Sequence, residues 1–395
     1  MNMRERFRRT RPKDESVKDV KDKSAKAQQP FIEHDDSYYL ASQWQLVWRK
    51  FRRHKLAIFG MTIIIIFYVV AIFAEFFAIN DYQQRNAELA LAPPQRIHFV
   101  DESGKFHFRP FVYNLEQTLD METLTRMYSE DKSTMFPIKF FVRGHEYEML
   151  GLIKSNIHFV GVESPGIFIP FGTDEFGRCL FSRNIHASRI SLSIGFIGVI
   201  LSFIIGSLIG GASGYFGGKV DLVVQRIIEF IISIPTIPLW IALAAALPAS
   251  WTSVQVYFGI TIVLATVGWT TLARAVRGKL LEVREADFVT AARISNVSDF
   301  QIIIKHLLPS FASFLIVSLT LAIPGMILGE TALSFLEIGI RPPAVSWGVL
   351  LQNAQNVRAV AQSPWLFIPA IFVIITVLCF NFIGDGLRDA ADPYK

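Results

Sequence analysis

Apolar residues are bunched along this chain into long runs with polar stretches between them. A helix needs about 20 mostly apolar residues to cross the hydrocarbon core of a bilayer. Six stretches qualify: Leu56–Ala78, Ser191–Gly211, Leu222–Leu247, Val256–Leu272, Ser310–Gly329 and Trp365–Ile383. The third is interrupted by Arg226, Glu229, Pro235 and Pro238. Bundled spans tolerate proline because neighbouring helices satisfy the freed carbonyls. The expected fold is an all-α polytopic membrane protein with six transmembrane helices. The first run does not read as a cleaved leader, because it is too long and starts about fifty residues in.

Between the first two runs, residues 79–190 alternate differently. "RIHFVDESGKFHFRPFVY" holds two β-rich runs around a Ser-Gly turn, a hairpin signal. "NLEQTLDMETLTRMYSE" has a helical pattern, and "FPIKFFVRGHEYEMLGLI" and "NIHFVGVE" read as further strands. A small folded α+β insert is expected there. Its histidines His98, His107, His145 and His158 lack ligand spacing and read as structural or surface residues. Upstream, residues 1–37 are polar and of mixed charge, too poor in apolar residues to offset ordering entropy, so a disordered tail is expected. In residues 38–55, Trp44, Val47, Trp48 and Phe51 form one helical stripe with a basic opposite face, the pattern of an interfacial helix.

Charge sets the orientation. Arg49, Lys50, Arg52, Arg53 and Lys55 precede the first run, and Arg274, Arg277, Lys279, Arg284, Arg293 and Lys305 fill the loop after the fourth. Lys and Arg accumulate on the cytoplasmic side. Both termini and that loop are therefore expected to be cytoplasmic, and the insert extracytoplasmic. The short outer loops hold few, Arg341 and Arg358 among them. The net charge of +5 reflects the basic flank beside the membrane, since residues 1–55 carry 15 Lys/Arg against 8 Asp/Glu. It points to anionic lipid rather than nucleic acid. Two cysteines make no disulfide framework, and with Cys179 expected outside and Cys379 within the sixth run, pairing is not expected.

The loop at 279–309 contains "READFVTAARISNVSDFQIIIKHLLP". Phe288, Ala291, Ala292 and Ser295 fall at i, i+3, i+4 and i+7, a small face with one aromatic, suited to close packing. Asn296 is able to adopt the left-handed conformation that stops a helix. Ser298 with Gln301 has the spacing of a capping box for a second helix, and Pro309 ends or kinks it at the fifth run. Helix, tight turn, helix is the expected layout. By physics alone it suits either a force-transmitting part or an amphipathic linker resting on lipid headgroups.

That loop resembles the EAA loop of ABC importer permeases. "FGTDEFGRCLFSRNIHASRISLSIG", "GYFGGKVD", "GETALSFLEIGIRPPAVSWGVLL" and "FNFIGDGLRDAADP" extend the resemblance, in order around the same spans, to the C-type permease subunits of oligopeptide and dipeptide importers. It covers about 170–395, a 191–395 permease core with its approach, plus the amphipathic entry and first span. Departures are Asn296 where Gly is usual, Cys179 where Asp is usual, and Glu337 where Gly is common. The resemblance implies a bacterial cytoplasmic-membrane permease paired with a homologous permease subunit. It also implies two ATP-binding subunits holding ATP and Mg, and an extracytoplasmic substrate-binding protein. It assigns ATPase coupling to Glu285, Asp287, Phe288, Ala291, Ala292, Ser295, Asn296 and Pro309. Relatives of peptide permeases also carry oligosaccharides, nickel and other solutes, so the solute stays open.

"GYFGGKVD" is not an ATP-binding P-loop. Ser213 stands where its first Gly belongs, and Val220 follows Lys219 in place of Ser or Thr. A tight glycine turn between spans is expected, with no catalytic residue, no metal site and no cofactor in this chain. Arg226 and Glu229, three apart, suit an ion pair. Pro235, Pro238, Pro324 and Gly325 suit kinks, and Glu330 and Glu337 are expected near a solvated outer mouth. An ion-coupled transporter would show paired midplane acids and inverted repeats, neither of which stands out. A membrane sensor using the insert as receptor is the other rival.

Overall fold

The computed structural model describes residues 43–119, 121, 126–355 and 361–392. The chain divides into two units, Met1–Trp48 and Arg49–Lys395. The expected disordered tail, the side chain of Trp44 and Arg358 lie outside the described residues. Helix α1 (Gln43–Arg53) closes with Lys50, Arg52 and Arg53; its Phe51 is buried and its Trp48 is 43% exposed.

Among the described residues, five helical stretches are long and apolar enough to cross a membrane: Lys55–Ile72, Leu180–Phe216, Ser253–Val283, Ala312–Phe335 and Pro364–Ala391. The third expected span is a bent pair of helices, Gly218–Ser233 and Thr236–Ala245, at 88° to each other. We label the helices α2 (Lys55–Ile72), α3 (Ala74–Phe77), α4 (Leu180–Phe216), α5 (Gly218–Ser233), α6 (Thr236–Ala245) and α7 (Ser253–Val283). They continue with α8 (Asp287–Ile294), α9 (Ala312–Phe335), α10 (Trp347–Gln352) and α11 (Ile368–Ala391).

The seam between α4 and α7 organises the bundle. Without a hydrophobic drive between helices in lipid, close backbone approach through small residues holds spans together. On α4, Gly198, Ser202, Gly206, Gly210 and Gly214 recur every fourth position and make one small stripe. A Cβ at Gly206 would lie 2.9 Å from Trp269 O, and one at Gly210 only 2.4 Å from Ala273 O. The paired numbers rise together, so α4 and α7 run parallel, with α5 and α6 crossing back between them.

The two spans nearest the insert, α2 and α4, differ in length from their apolar runs for one electrostatic reason. Helix α4 starts eleven residues before Ser191, at Leu180, although Arg183, His186 and Arg189 interrupt that stretch. The charges have partners: Arg183 Nη1 donates to Asp174 Oδ2 at 2.7 Å and Arg189 Nη1 to Glu75 Oε1 at 2.8 Å. Arg189 also takes the carbonyls of Ala71 and Ile72 at 3.0 and 2.9 Å. These bonds cap α2, which stops at Ile72 instead of running to Ala78; Phe73 leaves helical geometry at φ −99°, ψ 37°.

The insert bears out the expected strands and corrects the expected helix. Strands β1 (His98–Val100), β2 (Phe106–Leu119) and β3 (Arg126–Pro137) form one antiparallel sheet, and β4 (Lys139–Met149) and β5 (Ile153–Gly161) a separate hairpin. The helix expected over 114–130 is the β2–β3 hairpin, with Leu115 opposite Glu130 and Leu119 opposite Arg126. Tertiary contacts override local propensity there. Leu115 and Tyr128 pack beside Leu89 and Ile169, and the Tyr128 hydroxyl donates to Ala90 O at 2.6 Å. Of the four histidines, His98 pairs with Glu130 at 3.0 Å and His107 with Asp101 at 2.9 Å. His158 Nδ1 bonds Ala78 O at 2.7 Å, and its ring centre lies 4.3 Å from that of His145 with the planes tilted by 34°.

Candidate functional site

The loop after α7 lies at the end of α4 remote from the insert, and it is built as a solid piece. Helix α8 follows one short bend, Glu285–Ala286, with Asp287 in its first turn and Arg293 in its last, the arrangement its dipole favours. It ends as the sequence suggests. Asn296 has φ +57°, Asn296 N donates to Arg293 O at 3.0 Å, and Val297 N donates to Ala292 O at 3.1 Å. Those two bonds make a Schellman stop, and Val297 packs in the same cluster as Ala292.

The second helix differs from expectation. Ser298 occupies the cap position with φ −64°, ψ 146°, but its side chain makes no cap hydrogen bond, so no capping box with Gln301 forms. A single α-turn, Asp299–Gln301, passes into a π-helical turn, Ile302–Leu307, in which Leu308 N reaches back to Ile303 O. Widened turns of this kind recur at functional sites. The break into α9 falls at Phe311 (φ −123°, ψ 30°), two residues past Pro309, which itself sits in a short helical turn.

What holds the loop rigid is an apolar floor with a polar clasp. Val289, Ala292, Ile302, Ile303 and Leu307 are buried against Tyr215, Leu272, Val276 and Leu280 of α4 and α7. The Tyr215 hydroxyl donates to Asp299 Oδ1 at 2.6 Å, and Arg293 Nε donates to that hydroxyl at 3.2 Å. The Arg293 guanidinium also lies 5.0 Å from the Tyr215 ring centre.

Of the eight residues marked from the sequence, Glu285, Asp287, Phe288, Ala291, Ser295, Asn296 and Pro309 are exposed. Ala292 is not: at 7% exposure it faces the floor, because α8 turns its Val289–Ala292 edge inward. The outward face carries two large apolar residues that periodicity missed, Ile294 at 82% and Phe300 at 62% exposure. Their signal was their presence in a short charged loop, off the inward stripe. Tyr215, the far partner of the clasp, carried no local signal.

The "GYFGGKVD" segment is the expected glycine turn, with Gly217 at φ +62° and Gly218 at φ +53°. Its Asp221 accepts two bonds from Arg277, at 2.5 and 2.6 Å, and one from Ser213 Oγ at 2.6 Å. Arg226 and Glu229 pair at 2.8 Å on an exposed face.

At the opposite end, Asp174 is fully buried. It accepts from the backbone N–H of Phe176 and Arg178 and from the side chains of Arg178 and Arg183. The expectation that Glu330 is solvated is corrected: it is 0% exposed, and Ser191 Oγ and Ser334 Oγ donate to its two oxygens at 3.2 and 2.7 Å. Those serines accept in turn from Trp347 N and Ile340 N, fixing the segment before α10 to α4 and α9. Glu337 is exposed, with φ +66°, and makes a second Schellman stop at the end of α9 through Ile338 N to Leu333 O and Glu337 N to Ser334 O.

Set against known proteins, residues 198–394 match the family described as binding-protein-dependent transport system inner membrane component. Residues 42–94 match the N-terminal TM domain of oligopeptide transport permease C. The oligopeptide transport system permease protein OppC of Haemophilus influenzae is 43% identical over 224 residues, 56% of this chain and 70% of that protein. OppC of Bacillus subtilis is 29% identical over 353 residues, 89% of this chain and 90% of that one, an alignment long enough to run through the insert. A chain of the MetNI methionine ABC transporter in an inward-facing form aligns at TM-score 0.42 and 19% identity, over 53% of this chain and 96% of that one. The chain belongs to the binding-protein-dependent transport system inner membrane component family. It is a multi-pass ABC importer permease, a transport subunit rather than an enzyme.

Proposed function

We propose that this chain is the C-type permease of a peptide importer and that α8 is where the force of ATP hydrolysis enters it. In this reading it lies in the bacterial cytoplasmic membrane with both termini and the 279–309 loop inside. It lines the solute path together with a homologous permease, receives solute from an extracytoplasmic binding protein, and is driven by two ATPase subunits that hold ATP and Mg. Relatives named for oligopeptide and dipeptide transport support the solute class.

The observation that carries the coupling role is the contrast between the two sides of α8. Its inner side is locked to α4 and α7, while Phe288, Ala291, Ile294 and Ser295 are exposed with Glu285 and Asp287 beside them. A rigid piece with an uncovered apolar face suits docking in a groove of another protein. Closure of the ATPases pushes α8, the clasp moves α4 with it, and the widened turn at Ile302–Leu307 carries the push to the break at Phe311. Two packings biased by ATP and solute then give alternating access.

Co-expression of the permeases, ATPases and binding protein tests this. ATP-dependent peptide uptake by the assembly, lost together with ATPase co-purification in Phe288→Glu, supports the proposal. Solute transport by this chain alone would falsify it.

A further inference from the structure

At the root of the β4–β5 hairpin, phenylalanine rings from three elements meet. Phe159 of β5 is at their centre. Its ring centre lies 5.9 Å from Phe76 and 5.3 Å from Phe77 of α3, and 5.6 and 6.0 Å from Phe140 and Phe141 of β4. Two of these rings stay uncovered: Phe140 is 68% and Phe141 65% exposed. Successive strand residues normally point to opposite faces, but Phe141 has left-handed backbone at φ +57°, and both rings remain beside Phe159. Strain held in order to display two aromatic rings marks an interaction surface.

The patch continues the lipid-facing flank of α2. Ile65, Ile66, Val69, Ile72 and Phe73 are exposed along that span, and their spacing of three to four residues places them on one face of the helix. Helix α3 follows at once, and its Phe76 ring lies 6.2 Å from that of Phe141. Rings at the exit of a span stand at headgroup level, where aromatic side chains collect. Charge agrees with that placement. Arg143, two positions beyond Phe141, pairs across the hairpin with Ile157, two positions before Phe159, and both are exposed. A basic side chain beside an apolar face is the pattern of a segment lying on a membrane.

We propose that the β4–β5 hairpin rests on the phospholipid bilayer, with Phe140 and Phe141 inserted at the headgroup–acyl boundary and Arg143 at the lipid phosphates. The inference goes beyond the importer reading and needs only that α2 crosses the membrane. It depends neither on the solute nor on the side on which the insert lies. The hairpin is tied to the span, because His158 Nδ1 bonds Ala78 O just past α3. Its rings therefore keep the height at which the span ends, and the bilayer becomes a second support for the insert.

A depth measurement tests this. Cys179 and Cys379 are both buried; with both replaced by Ala, Phe140→Cys or Phe141→Cys carries a single nitroxide label. Phe140 lacks the left-handed backbone of its neighbour, so its variant reports even if Phe141→Cys disturbs the strand. The complete importer is placed in nanodiscs of phosphatidylethanolamine and phosphatidylglycerol. Relaxation of the label by oxygen, which concentrates in lipid, is compared with relaxation by a water-soluble nickel chelate. Ile66→Cys on α2 and Lys105→Cys in the β1–β2 turn mark the lipid and water ends of the scale. Both hairpin labels are expected to favour oxygen, at a depth of about 5–10 Å into the boundary. Preference for the nickel chelate means an uncovered patch in water and overturns the proposal. Weak relaxation by both reagents means that a protein subunit covers the patch, and overturns it too. In Arg143→Glu the labels should shift towards the nickel chelate, and no shift overturns the phosphate contact.

Discussion

Tyr215, next to last in α4, donates its hydroxyl to Asp299 Oδ1 at 2.6 Å across 84 residues of sequence. The bond joins a spanning helix to the turn beyond α8, so α4 and the loop move as one. Tyr215→Phe keeps the ring under Arg293 and removes the clasp. A net loss of about 1 kcal/mol is expected. Hydrogen exchange over 287–303 should then quicken about fivefold, with α4 itself unchanged. Unaltered exchange in the loop would mean that the apolar floor alone holds it.

Neighbouring alanines on α8 should behave in opposite ways. Ala291 is exposed and Ala292 is buried. Ala291→Glu is expected to leave permease stability within about 0.5 kcal/mol while reducing capture of ATPase subunits in pull-downs. Ala292→Glu places an unpaired charge in the floor and is expected to cost about 3 kcal/mol or more, read as a lowered melting temperature. Equal effects on stability would refute the assigned faces.

Asn296 and Glu337 both hold left-handed backbone, at φ +57° and +66°. Glycine relieves that strain, and a β-branched residue increases it. Asn296→Gly and Glu337→Gly are expected to raise stability slightly, and Asn296→Val to lower it by about 1–2 kcal/mol. Thermal unfolding in nanodiscs checks the order.

The α4–α7 seam predicts a steric failure. A Cβ at Gly210 would lie 2.4 Å from Ala273 O, a backbone atom that cannot swing aside. Gly210→Leu should separate the helices and reduce the yield of folded protein. Gly278→Leu, whose Cβ would meet nothing within 4 Å, should be tolerated.

The β4–β5 hairpin should loosen in acid. Burial, and then the nearby His158, hold the His145 imidazole below its ordinary range, against a smaller upward pull from Asp81. Its folded pKa is depressed, so the unfolded chain takes up the proton first, near pH 6.5. The stabilising effect of its neutral form is complete above that value and is lost as pH falls through the lower folded one. Hydrogen-exchange protection factors over 139–161, which remove the intrinsic pH dependence of exchange, should therefore fall between pH 7.5 and 5.5, and His145→Gln should flatten the change.

Much of this architecture was legible in the apolar runs, because a span announces itself by length. The helix stop at Asn296 and the glycine turn at 217–218 were legible too, since each depends on local backbone chemistry. What stayed hidden depends on distant partners. Arg183, His186 and Arg189 concealed the first turns of α4 until Asp174 and Glu75 came beside them. Glu330 looked like a surface acid because Ser334, one turn on in its own helix, bonds only one of its oxygens; its burial is recognised only with Ser191 of α4 on the other and Ser346 capping α10 nearby. Ala292 was misplaced on its helix because a stripe of alanines does not say which edge turns inward.

The 88° elbow at Ile234–Pro235 divides the third span into pieces of 16 and 10 residues. At 1.5 Å per residue those reach about 24 and 15 Å, and neither crosses a hydrocarbon core of about 30 Å by itself. Pro238 has no N–H to offer the Ile234 carbonyl, and irregular backbone at that depth is tolerated only where protein shelters it. Yet Phe230, Ile232 and Ile237 around the elbow are exposed. A ribosome making this polypeptide without its companions would leave in the bilayer a molecule with an unroofed flank, open to quality-control proteolysis.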